Sequence, residues 1–166
     1  MFLFSLFGKP FGGKKHPWRA AVCLFFAGTA LCLAGSALAS LPGMVAGWQA
    51  PLPDPTRPAS VGNAALALLT GAIVPALWEE FVFRGAAMLL ARRIKMPAWL
   101  AVLLTAALFA ALHRNPALLP ATLVSGVALG WVALRGGSLW PTIAVHMWNN
   151  AAGLLFAWLG ATQWLR

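Results

Sequence analysis

The chain has 166 residues, of which 61% are apolar and only 9% charged, with a formal net charge of +9. A soluble domain of this length cannot hide so much apolar surface, so the composition excludes a water-soluble globular fold and points to a polytopic membrane protein. The basic residues fall mainly in short segments between apolar stretches, where they read as topology signals; no nucleic-acid partner is expected.

In chain order, a phenylalanine-rich start, Met1 to Phe11, suits the membrane interface, and Lys9, Lys14, Lys15, His16 and Arg19 form a basic flank. Residues 1–19 therefore read as a cytoplasmic segment, and 20–166 as a single transmembrane helical domain. The first span is expected from Ala20 to Leu41. Cys23 and Cys32 lie inside it as reduced, packed side chains, with no zinc-type spacing and no disulfide framework. In a competing reading, Ala37-Leu38-Ala39 before Ser40 is a signal-peptidase site and the first 39 residues are a leader. Pro51, Pro53, Pro55 and Pro58 make Trp48 to Ser60 an extended loop, which also holds Asp54.

A second, longer helix is predicted from Val61 to Ala91, with Pro75 kinking it just before Glu79 and Glu80. The basic loop Arg92-Arg93-Ile94-Lys95 leads to helix three, Pro97 to His113. Helix four follows from Ala117 to Leu134 and helix five from Leu139 to Leu159. Gly126 and Gly130 give helix four a small-residue face for close approach of another helix. Trp48, Trp140 and Trp164 read as interface anchors. With the N-terminus inside, eight basic residues are cytoplasmic (Lys9, Lys14, Lys15, Arg19, Arg92, Arg93, Lys95, Arg135) and three lie outside (Arg57, Arg114, Arg166). The expected fold is thus an all-α, polytopic transmembrane helix bundle of about five spans, N-in and C-out.

Only three acidic residues occur in the chain, and two of them, Glu79 and Glu80, are adjacent in an apolar stretch. A carboxylate in hydrocarbon costs several kcal/mol unless paired, neutralised or facing water, so such residues point to function. The polar groups on the helices are few: Glu79, Glu80, Arg84, His113, His146, Asn149 and Asn150, with scattered Ser and Thr. Glu80 and Arg84 are i,i+4 and can pair on one face, as can His146 and Asn150. Adjacent Glu79 and Glu80 are turned from each other by about 100°, which suggests that one is held by Arg84 and the other faces a cavity. A carboxylate in an apolar setting is a stronger base, a histidine beside it can orient water, and a histidine with an asparagine can stabilise an oxyanion. No serine or cysteine has a base next to it, which disfavours a covalent nucleophile.

Glu79-Glu80-x-x-x-Arg84 followed by Gly85, then Phe109-x-x-x-His113, then His146-x-x-x-Asn150, resembles the CPBP family of intramembrane endopeptidases. That family includes type II CAAX prenyl proteases and bacterial bacteriocin-processing and self-immunity proteins. The resemblance covers about Ile73 to Gly153, the catalytic core it implies, and the chain is short beside larger members. It implies that Glu79 activates the attacking water with His113, that Glu80 and Arg84 support it, and that His146 and Asn150 form the oxyanion site. Implied too are a membrane-associated protein or peptide substrate and a place in a bacterial inner membrane. Metal-independent water activation, with no cofactor, is favoured over a zinc site built from Glu79, His113 and His146, because no His-Glu-x-x-His helix is present.

Structural readings stand beside these. Glu79, Glu80 and Arg84 could form an ion pair at a helix end, His113 could cap a helix C-terminus, and His146 with Asn150 could bond helices together. At the level of the whole chain, the alternatives are a non-catalytic immunity or scaffold protein and, less favoured, a proton-coupled transporter, for which no internal repeat is seen. Geometry raises one difficulty. Helix four climbs about 25 Å while Leu139 to His146 descends only about 10 Å, so in an upright bundle His146 stands away from the glutamates.

Overall fold

A chain in lipid must satisfy its own backbone polar groups, and apolar stretches do so as helices. The computed structural model describes residues 18–45 and 61–163, all of whose regular structure is helical. The readings of Met1 to Phe11, the lysine flank, the proline-rich segment with Asp54 and Arg57, Trp48, Trp164 and Arg166 lie outside the described residues. Five helices follow one another: α1 (Trp18–Val45), α2 (61–93), α3 (Ala98–Leu112), α4 (Leu119–Gly136) and α5 (Trp140–Gln163). Three of them are long and apolar enough to cross a membrane, over Ala21–Pro42, Gly62–Arg93 and Leu119–Gly136. α3 has 15 residues, and α5 dilutes its apolar run with Thr142, His146, Asn149 and Asn150.

At Pro75, where a kink is expected, the helical winding changes. α2 runs on through Pro75, preceded by a wide π turn at Leu69–Ile73 that shifts the carbonyls facing the proline ring. A second π turn, Phe81–Ala87, begins directly after the glutamates and was not signalled by any breaker. It turns Phe83, Arg84 and Gly85 inward in succession, all three buried.

Close packing of small residues sets the helix spacing. A Cβ on Gly126 of α4 would stand 2.9 Å from Ala106 Cβ and 3.0 Å from its Cα, and one on Gly130 would stand 2.8 Å from Val102 Cγ1. The glycine face thus receives α3 at backbone contact. α1 packs on α4 and α5 around Cys32, Ala128, Leu129 and Val145, with Ser36 Oγ 2.7 Å from Ser125 Oγ. Gly137 ends α4 in a left-handed conformation (φ 62°) that only glycine adopts without strain, its N–H donating to Ala133 O.

The turn after it resolves the difficulty over depth. Leu139 is fully buried and its Cδ1 lies against Gly85 of α2, so the α4–α5 connection dips into the bundle about two turns before the end of α2. From that level, Leu139 to His146 spans about 10 Å along α5 and Gly85 to Glu79 about 9 Å along α2. The two arms are matched, and His146 arrives at the glutamates.

Candidate active site

Glu80 is the centre of the polar cluster. Its Oε1 accepts hydrogen bonds from Arg84 Nη1 and His146 Nδ1, each at 2.8 Å, with all three side chains buried. Arg84 also donates from Nη2 to the carbonyl of Gly126 at 2.9 Å, and its guanidinium lies 5.0 Å from the centre of the Phe109 ring and 5.8 Å from that of Phe83. The i,i+4 pairing of Glu80 and Arg84 is therefore present, and α4 and α5 complete it. Glu80 Oε2 and Arg84 Nε have no hydrogen-bond partner among the described residues.

Glu79, turned away from that pair, is 26% exposed, with Oε2 3.5 Å from His146 Nε2. His146 thus stands between the two glutamates, one at each ring nitrogen. Glu79 lines a cleft of about 350 Å³ with Trp78, Val82, Phe83, Phe109, Leu112 and His113. Three larger grooves, of about 590 to 780 Å³, are lined by apolar side chains almost throughout and carry no titratable group.

His113, at the end of α3, faces the cleft as an exposed side chain whose Nδ1 is 2.8 Å from Phe109 O. A carbonyl only accepts, so Nδ1 carries the proton and Nε2 is left to the cleft. The helix-capping reading of His113 is thereby realised together with its place at the cleft. Phe109 joins the pieces. Its ring lies 4.6 Å from His113, 5.7 Å from His146 and 5.4 Å from Phe83, centre to centre. Asn150 is half-buried one turn beyond His146 and takes no part in the hydrogen bonds of the cluster. Among the described residues no three His, Cys, Asp or Glu side chains are grouped to hold a metal; Glu79, His113 and His146 do not form such a set.

Two participants have roles that the sequence did not signal, although Gly126 was expected on a packing face and Phe109 stood in the Phe109-x-x-x-His113 motif. Gly126 contributes a backbone carbonyl, which every residue has, and Phe109 serves through its ring in an otherwise apolar helix. The π turn that delivers Arg84 to α4 was equally silent.

The sequence profile of the type II CAAX prenyl endopeptidase Rce1-like family matches residues 61–152, more than half of the chain. The chain belongs to that family. All of Glu79, Glu80, Arg84, His113, His146 and Asn150 fall within the matched segment, whereas α1 lies before it. No curated protein and no solved structure matches the chain. Membership of a CAAX prenyl endopeptidase family, with helices apolar enough to cross a bilayer, identifies an integral membrane protein of a protease family.

Proposed function

We propose that the chain is a glutamate-type intramembrane endopeptidase that hydrolyses a peptide bond of a membrane-associated protein or peptide near its C-terminus or in a leader. The observation that carries this reading is the division between the two glutamates: Glu80 is locked by Arg84 and His146, while Glu79 borders a cleft with His113. Glu79 takes a proton from water held between it and His113 Nε2, and the water oxygen attacks the scissile carbonyl carbon. The tetrahedral oxyanion collapses, the C–N bond breaks, and the leaving amine receives the proton from Glu79. Glu80 orients His146 through Nδ1, so Nε2 bears a proton only as imidazolium, and in that form it donates to the oxyanion. Asn150 joins that role by turning its amide toward the same face of α5, one helical turn away.

Water activation in this scheme rests on Glu79 and His113 and is drawn without a metal. The cell membrane of a bacterium is the proposed location. The test compares wild type with Glu79→Gln for cleavage of co-expressed candidate substrates from the same genomic neighbourhood, read by mass spectrometry. A new product terminus with wild type, absent with the variant at equal expression, is the expected result. The same biological phenotype from both proteins without any cleavage would instead assign an immunity or scaffold role.

A further inference from the structure

We propose that Gly126, which lies outside the Glu-Glu, Phe-His and His-Asn motifs, is a positioning residue of the hydrolytic site, acting through Arg84. The inference rests on the reading above for its functional consequence. Two properties of the residue meet at one point. Its carbonyl accepts the Arg84 Nη2 hydrogen bond at 2.9 Å, and its missing side chain lets Ala106 of α3 come to backbone contact. The first fixes the far end of the guanidinium whose near end holds Glu80. The second sets the distance of α3, and α3 carries Phe109, the ring that lies against Arg84 and reaches both histidines.

Arg84 is therefore clamped between a backbone acceptor on α4 and a ring on α3, and Glu80 and His146 take their places from it. A Cβ at position 126 meets the Cα of Ala106 at 3.0 Å, and a backbone atom cannot swing aside. α3 and α4 must part: a shift of α4 lengthens the Arg84–Gly126 bond, and a shift of α3 lifts Phe109 from the guanidinium. Gly130, one turn along the same contact, separates the two effects: it faces Val102, and the Arg84 bond goes to the Gly126 carbonyl.

The experiment uses the full chain in detergent micelles, with a fluorogenic prenylated CAAX peptide as probe. Since a displacement of about 1 Å at a reacting group costs on the order of 100-fold, Gly126→Ala is expected to lower kcat at least about tenfold, with KM held within about twofold. Gly130→Ala is expected to lower the melting temperature comparably while keeping most of kcat. Ala106→Gly added to Gly126→Ala removes the Cβ–Cβ clash and is expected to restore part of kcat. If Gly126→Ala does not fold, Ala106→Val presses on the same contact from α3 and is expected to give the same kcat loss.

A melting-temperature cycle between Gly126→Ala and Arg84→Ala needs no substrate and is expected to be non-additive. Additive melting shifts, or kcat losses that follow the melting temperature equally at Gly126 and Gly130, would overturn the positioning role and leave the protease reading intact. A non-additive cycle in a wild type that cleaves no probe would instead uphold the Gly126–Arg84 link and count against a prenylated CAAX substrate.

Discussion

Because successive residues of a helix are turned by about 100°, Glu79 reaches the cleft while Glu80 is carried fully inside, against Arg84 and His146. The consequence is that similar substitutions at the two positions do different things. Breaking a buried pair by removing one partner costs about 3–5 kcal/mol, since the charge left behind is uncompensated. Glu80→Gln leaves the Arg84 guanidinium without its carboxylate among apolar rings, and a marked drop in melting temperature is expected in detergent. Glu79→Gln touches a partly exposed group whose Oε2 lies 3.5 Å from His146 Nε2. Its stability is expected to change by no more than ~0.5 kcal/mol, as for ordinary surface changes, with little shift in melting temperature. Equal destabilisation by the two variants would contradict the division of labour between the glutamates.

At the scale of elements, the site depends on where α5 starts. The buried turn at Leu139 puts the first residues of α5 level with Gly85, and a bulkier residue there must displace Leu139. Gly85→Ala leaves a 3.3 Å contact to Leu139 Cδ1, the mobile end of a side chain, and is expected to cost little. Gly85→Val overpacks the contact, which costs about 1–3 kcal/mol, and it pushes α5 and His146 away from Glu80. Activity is expected to fall well beyond what the stability loss explains, and Leu139→Ala in the same chain is expected to recover part of it; unchanged activity in Gly85→Val would show that the buried turn does not set His146.

These elements also show what the sequence could carry. Five apolar stretches separated by basic or proline-rich segments were legible because span length and charge are local properties, and the predicted helix ends fall within about four residues of those observed. The adjacent glutamates and the i,i+4 pair with Arg84 were legible because charges are so rare here. The dip of the α4–α5 turn was not, since it is set by Leu139 finding Gly85, fifty-four residues away, and not by any local preference. The π turn at Phe81–Ala87 likewise answers to the packing of Phe83 and Arg84 inside the bundle.

For the whole molecule, the cleft is placed by unequal helix lengths. α3 has 15 residues and rises about 22 Å, less than the roughly 30 Å of a hydrocarbon core, so it cannot reach both surfaces upright. Its start follows the exposed Arg92, Arg93 and Lys95, which belong at the headgroups, so the shortfall falls at the other end, where His113 and the exposed Arg114 lie. A cationic residue held short of the surface draws water and headgroups inward, which would supply the cleft with the water that hydrolysis consumes. The same argument predicts a topology. Arg92, Arg93, Lys95 and Arg135 lie at one end of the bundle and Arg114 at the other, and the excess of positive charge predicts that the first end faces the cytoplasm. The expected outcome is read by labelling single cysteines in intact cells, after replacing Cys23 and Cys32 by alanine. A cysteine at Asn115 should react with a membrane-impermeant thiol reagent added outside. One at Lys95 should react only after permeabilisation. The reverse pattern would invert the bundle and place the cleft on the cytoplasmic side, where a substrate carrying a cytoplasmic lipid modification would meet it directly.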